Sequence, residues 1–240
     1  MPATHAEIQM IVGSGLLSRA FARHPGLPAG VCIYAAGVSN SACRDEREFD
    51  RDRVRLETVL AELPRESRIV YFSTCSIGDP WSQDNAYTQH KRKLEEIVRD
   101  RGNHLVVRLP QVAGETPNPH TLLNYLYNRI VRSERFDLWQ RATRNIIDVA
   151  DAADIVIDLL QNRDMPAAIV NVANSRNSPM TDIVAALEQA TQRRAIFNVV
   201  DKGGDYPIDV GAIENALRRC AITFDGTYLA RTVGRYYGRR

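Results

Sequence analysis

The sequence predicts an α/β fold built on a parallel sheet. Short apolar runs alternate with helical periodicities along most of the chain, and the first run opens directly into a glycine corner. Each connection between successive runs is long enough for a crossover helix, which parallel neighbours require.

The first run covers residues 8–12 and leads through Gly13-Ser14-Gly15 into a helical stretch over 16–23. After His24-Pro25-Gly26-Leu27-Pro28, VCIYAAG at 31–37 reads as a second buried strand. An Arg- and Glu-rich helix over 45–63 carries Phe49, Val54, Leu56, Val59, Leu60 and Leu63 as apolar positions, and Pro64 closes it. IVYFS at 69–73 is a third strand, 86–101 a second charged helix, and LVVRL at 105–109 a fourth strand ending at Pro110. With a helix in every crossover, these strands are predicted parallel.

Beyond Gly114 the pattern changes. Pro117, Asn118 and Pro119 form a loop, and 121–132 reads as a helix. Residues 144–160 read as a short strand running into a helix, with Asp148 or Asp151 near its N-terminus. A strand at 168–174, a helix at 178–191 and a strand at 195–200 follow. The stretch 201–240 is mixed and ends in an amphipathic segment with Tyr228, Leu229, Val233, Tyr236 and Tyr237. The division falls near residue 115, giving regions 1–115 and 116–240 of one compact unit between which the chain can cross.

Composition bounds the function. The chain has 240 residues, 44% apolar and 25% charged, enough to bury a substantial core without a disulfide or metal staple. Cys32, Cys43, Cys75 and Cys220 lie far apart with no CxxC pair, so no metal site is expected. No apolar run reaches the roughly 18 residues of a membrane helix. The start, MPATHAEIQM, lacks a basic region followed by an apolar stretch, which places the protein in the cytoplasm. Of 31 basic residues only Lys91, Lys93 and Lys202 are lysine. The 29 acids are interspersed with the arginines, which reads as the codon usage of a GC-rich genome rather than as a nucleic-acid surface. Arg231, Arg235, Arg239 and Arg240 read as a solvated tail.

Three constellations carry chemistry. Gly13-Ser14-Gly15-Leu16-Leu17-Ser18 follows a strand and opens a helix, where bare backbone lets a pyrophosphate approach the helix N–H groups. The plainer reading is a turn that needs glycine for its backbone alone. The acid expected about 20 residues on, to hold an adenosine ribose, is missing from VCIYAAG. Arg19 and Arg23 could meet a ribose phosphate instead, or be surface arginines.

The second constellation is Tyr87-x-x-x-Lys91. Four residues apart on a helix share a face, and an ammonium beside a phenol pulls its pKa down from about 10. His90 beside it reads as a surface residue. Third, IVYF runs into Ser73-Thr74-Cys75-Ser76, hydroxyls at the carboxyl edge of a parallel sheet, where ligands bind in open α/β folds. Turn formation and helix capping are the alternative for that cluster.

GSGLLSRAF, VCIYAAGVSNS, IVYFSTCSI, AYTQHKRKLEEIV, VVRLPQVAGE and RNIIDVADAADIV occur in that order within residues 13–156, in a resemblance that covers roughly residues 8–200. Together they resemble the extended short-chain dehydrogenase/reductase superfamily, the NAD(P)-dependent nucleotide-sugar epimerases, dehydratases and ketoreductases. The resemblance implies a Rossmann-like doubly wound sheet in 1–115 and a small C-terminal α/β substrate-binding region in 116–240. It implies Tyr87 as catalytic acid/base, Lys91 as its partner and ribose anchor, and Thr74 as the hydroxyl holding the reacting oxygen. It further implies an NAD or NADP site of Gly13, Ser14, Gly15, Leu16, Leu17, Arg19, Ala35, Ala36, Gly37, Ser73, Tyr87, Lys91 and Pro110. The substrate would meet Thr74, Cys75, Ser76, Gln111 and Arg144, the last at its phosphates.

The chain departs from the family in specific ways. VCIYAAG matches the family's fourth strand yet starts only 18 residues after Gly13, so the usual second and third strands are missing. The glycine motif is GxGxxS rather than GxxGxxG, and the loop between Thr74 and Tyr87 is cut short. Cys75-Ser76 stand where dehydratases carry acids, which favours epimerisation or keto reduction. The expectation is therefore an NAD(P)-dependent epimerase or ketoreductase of a nucleotide-activated sugar, in bacterial surface polysaccharide synthesis. Relatives dimerise through the helices matching 45–63 and 86–101, so a homodimer is expected, with no membrane or nucleic-acid partner. The alternative is a non-catalytic nucleotide or sugar-nucleotide binding module, which the missing strands favour.

Overall fold

The computed structural model describes residues 9–82, 84–162 and 166–238. Residue Ile8 of the first expected strand and Arg239 and Arg240 of the tail lie outside them.

The first half runs β1 (Gln9–Val12), α1 (Leu16–Ala22), β2 (Val31–Tyr34), α2 (Glu46–Glu62), β3 (Arg68–Thr74), α3 (Ala86–Asp100) and β4 (His104–Leu109). A 3-10 turn, Cys75–Ile77, joins β3 to the loop before α3. The remainder runs β5 (Gln111–Ala113), α4 (Leu122–Val131), β6 (Phe136–Trp139), β7 (Thr143–Arg144), β8 (Ile146–Asp148) and α5 (Val149–Gln161). Then come β9 (Ala168–Asn171), β10 (Ser178–Pro179), α6 (Met180–Thr191), β11 (Phe197–Val200), α7 (Glu214–Arg219) and α8 (Tyr228–Tyr237).

The main sheet has the order β1-β2-β3-β4-β9, and all its pairs are parallel. The middle positions of its strands are apolar because both faces are covered, and alternate side chains enter different cores. Val31, Ile33, Val70, Phe72, Leu105 and Val107 pack under α1 and α5. Cys32, Tyr34, Ile69, Tyr71 and Val106 meet Leu56 of α2 and Leu94 and Val98 of α3 on the other face. This is a doubly wound sheet. Among the described residues β1 is its edge, with no strand beyond it, where the family's second and third strands would lie.

A third cluster joins α4, α6 and α8 to β6 through Leu126, Ile130, Phe136, Ile183, Leu187 and Val233. The chain nevertheless returns to the first layer after residue 116, since α5 and β9 build the main sheet and its core. Three two-stranded pairs, β5-β8, β7-β10 and β6-β11, stitch the second region together. Among the described residues no helix is long and apolar enough to cross a membrane, and no group of three or more His, Cys, Asp or Glu could hold a metal ion.

The C-terminal helix is fastened at the start of α5. Asp148 caps that helix by accepting from Ala150 N at 2.9 Å. The same carboxylate accepts from Tyr236 Oη on Oδ1 and Arg235 Nη1 on Oδ2, both at 2.7 Å. Tyr228 Oη donates to Asp151 Oδ2 at 2.6 Å and accepts from Asp148 N at 2.9 Å. Asp148→Ala removes a cap and leaves a phenol and a guanidinium without their acceptor. It is expected to cost about 2–4 kcal/mol in urea unfolding, against about 1 kcal/mol for Tyr236→Phe.

Candidate active site

The carboxyl edge of the main sheet opens on a cavity of about 400 Å³. Its first wall is the corner between β1 and α1. Gly13 sits at φ +124°, and a Cβ there would lie 2.5 Å from Ala35 O, so only glycine lets the corner rest on the end of β2. Ser14, Gly15, Leu16 and Leu17 continue that wall, and Ala35, Ala36 and Gly37 form the next.

β3 delivers Ser73 and Thr74 into the same space. Thr74 caps the 3-10 turn, its Oγ1 accepting from Ser76 N at 3.1 Å, which leaves its own proton for another acceptor. The Tyr87 phenol lines the same cavity, and a hydrogen-bonding influence of Thr74 acts on it. Ser73 Oγ is buried, with the residue 6% exposed, and has no hydrogen-bond partner among the described residues. A buried, unpartnered hydroxyl in a cavity wall marks a place for a ligand atom.

Tyr87 is held by the start of α3. Asn85 caps this helix by accepting from Thr88 N at 2.8 Å, which puts Tyr87 in the first turn and Lys91 one turn on. Lys91 Nζ donates to Phe72 O at 3.4 Å and lies 5.3 Å from the Tyr71 ring centre and 5.8 Å from that of Tyr87. The ammonium thus lies over the rings of both tyrosines.

The expected depression of the Tyr87 pKa is therefore not found. Burial, then the charge of Asp52, hold the phenol above its ordinary value, against the opposing hydrogen bond from Thr74. Burial pushes Lys91 down, opposed by Asp52 and Glu95.

All but three of the anticipated site residues line this cavity. Pro110, Gln111 and Ser76 are among them. Arg19 lies beyond Leu16 in a neighbouring cavity, donating to Ser14 O and Glu115 O at 3.1 and 2.8 Å. Cys75 is buried behind the wall with Sγ directed at Arg108 O at 3.3 Å, and burial pushes its thiol up to about 12. Arg144 donates to Thr143 O at 2.7 Å in the β7-β10 pair and does not line the cavity.

Sequence reasoning missed Ser39, Ser41, Arg55, Asn118 and His120, which also line it. Among the described residues no carboxylate does, and Arg55 and Lys91 bring positive charge to the lining. His90, read as a surface residue, is 7% exposed and stacks on Phe49 at 4.5 Å. The signal was available: Tyr87, His90, Leu94 and Val98 follow the spacing of one buried helix face. His90 Nε2 lies 2.9 Å from Asp52 Oδ2. Asp52, 4% exposed, also accepts from Val38 N at 3.1 Å and Tyr34 Oη at 3.2 Å.

The model of the NAD dependent epimerase/dehydratase family matches residues 13–173. No curated protein sequence matches the chain. Among solved structures it is similar to RMD from Pseudomonas aeruginosa complexed with NADPH, at 14% identity and a TM-score of 0.71, over 95% of this chain and 98% of that one. It is also similar to UDP-glucuronic acid 4-epimerase from Bacillus cereus in complex with NAD, at 15% identity and a TM-score of 0.68, over 92% and 74%. UDP-glucose 4-epimerase from Bifidobacterium longum, in complex with NAD+ and UDP, matches at 16% identity and a TM-score of 0.67, over 90% and 76%.

The Asp52 carboxyl generates a pH prediction. Burial alone would raise its pKa, but the His90 bond, the Lys91 charge and the Val38 N–H together hold it below the ordinary value. Its contribution to stability is present above the unfolded value of about 3.9 and is lost as pH falls through the lower folded value. Asp52→Asn is expected to lose less stability than the unaltered protein on descending below about pH 4. Urea unfolding at a series of acid pH values measures the difference.

Proposed function

The chain belongs to the NAD dependent epimerase/dehydratase family, and from that premise we propose that it is an NAD(P)-dependent epimerase or ketoreductase of a nucleotide-activated sugar. The observation that carries this reading is the convergence of Thr74, Tyr87, Lys91 and the unpartnered Ser73 hydroxyl on one cavity that starts at the Gly13 corner.

The residues fit a dinucleotide at its reactive half. The bare Gly13 corner and the N–H groups opening α1 suit a pyrophosphate, and a lining without carboxylates suits its charge. When bound, the nicotinamide supplies hydride exchange with a sugar carbon. Ser73 and Lys91 would hold its carboxamide and ribose side. The Thr74 hydroxyl orients the reacting oxygen, and Tyr87 Oη gives or takes that oxygen's proton. Burial holds the phenol protonated, so donation is its resting role. Similar structures with bound NAD, NADPH or UDP support the ligand class. We place the chemistry in the cytoplasm, in the supply of activated sugars for surface polysaccharide.

The binding-module alternative draws on one observation, the sheet edge at β1, which leaves the adenosine side without its usual strands. Tyr87→Phe separates the two. As an enzyme, the variant loses turnover by roughly 100- to 10,000-fold while dinucleotide affinity by calorimetry stays within a few-fold. If the unaltered protein binds dinucleotide but turns over no nucleotide sugar, the module reading replaces the enzyme.

A homodimer through α2 and α3 belongs to the same proposal. Sedimentation is expected to give twice the 27.0 kDa chain mass, and a monomer at all concentrations removes the dimer.

A further inference from the structure

Lys91 is 3% exposed, and an ammonium in so dry a place needs a counter-charge to remain charged. Two buried carboxylates act on it, Glu95 on its own helix and Asp52 on α2. They are not equivalent. Arg108 grips Glu95 with two bonds, Nε to Oε1 at 2.9 Å and Nη2 to Oε2 at 2.7 Å, so that carboxylate already has a full partner.

Among the described residues Asp52 has no guanidinium on it. Its partners are the Val38 N–H, the Tyr34 hydroxyl and the His90 ring. The neighbouring phenols Tyr34 and Tyr71 are held above their ordinary range by burial first, so they stay neutral.

Gly37 shows where the two charges face each other. The point its Cβ would occupy is 2.7 Å from Lys91 Nζ and 3.5 Å from Asp52 Oδ2. The ammonium and the carboxylate therefore approach the same bare backbone face, one from α3 and the other from α2. The His90 bond fixes the Asp52 side chain, and Phe49 stacked on that ring at 4.5 Å fixes the imidazole.

Resting on the reading of Lys91 as partner of Tyr87, we infer that Asp52 is the counter-ion that keeps Lys91 an ammonium, a positioning residue acting from behind the cavity on a lysine it does not touch. The lysine's charge is then set by α2 and is in place before any ligand enters. The same negative charge helps keep the Tyr87 phenol protonated.

The chain has only three lysines, Lys91, Lys93 and Lys202, so protein labelled with 13C at lysine Cε gives three resonances to follow against pH. Lys91→Arg assigns the buried one. Asp52→Asn matches the carboxylate in shape and removes the charge; its single oxygen keeps the Val38 N–H, and its amide NH2 faces Tyr34, whose hydroxyl can accept from it. It is expected to move the Lys91 titration down by about one pH unit or more, with Lys93 and Lys202 unmoved. A Lys91 midpoint that does not move overturns the inference.

Should Asp52→Asn fail to fold, Lys91→Gln reads the coupling from the other side. By reciprocity the Asp52 13Cγ titration must then rise, and an unmoved Asp52 overturns the inference equally. In activity, Asp52→Asn is expected to move the alkaline limb of the kcat profile down in pH together with the Lys91 titration. A shifted Lys91 without turnover of any nucleotide sugar by the unaltered protein supports the counter-ion and removes the catalytic reading. Turnover with an unshifted Lys91 does the reverse.

Discussion

Everything in the site is referred to one close approach, the Gly13 corner lying directly on the carbonyl of Ala35. The Ala35 N–H donates to Val12 O at 2.8 Å, carrying the β1-β2 pairing one residue beyond the strands. The chain must then turn within the space of a hydrogen atom, since any side chain at Gly13 would strike that carbonyl. The turn decides where α1 begins, and α1 decides where Phe21 meets Phe72 of β3, 5.3 Å between ring centres. A wider corner would lift α1 off the sheet and open the cavity from below.

From that corner the rest follows by parallel pairing. β3 lies between β2 and β4, so its last residues, Ser73 and Thr74, emerge near the middle of the carboxyl edge. α3 packs back across β3 and returns Tyr87 to the same edge. The groups placed for chemistry come from β1 onward on one side only. Strands missing beyond β1 therefore remove nothing that orients Thr74, Tyr87 or Lys91. What they would have supplied is a surface for the far end of a dinucleotide.

The legibility of the sequence follows the same physics. Strands covered on both faces read as near-continuous apolar runs, which is why IVYF and the LVV of LVVRL stand out against charged helices. β7 and β10, of two residues each, are too short to show any period, and neither was foreseen. That Thr74, Tyr87 and Lys91 would line one cavity was legible because a spacing of four on a helix and a hydroxyl at a strand end are local patterns. Cys75 and Arg144 were misplaced because sequence order says nothing of which way a side chain turns out of a strand. Asp52 was invisible for another reason. It sits in a run of acids and arginines that reads as a solvated helix, and only its register with Leu56, four residues on and fully buried, marks it as inward-facing.

That inward carboxylate resolves a conflict the cavity would otherwise contain. A space meant for a phosphate-bearing ligand must be free of negative charge, yet a buried ammonium must have a negative partner. Set among the lining residues, a carboxylate would repel the ligand and be neutralised by a different cation each time the site filled. Placed on α2, behind Gly37 and clamped by His90, it faces the lysine and not the ligand. A Cβ at position 37 would stand 2.7 Å from Lys91 Nζ, so a side chain there would displace the ammonium from its place facing Asp52.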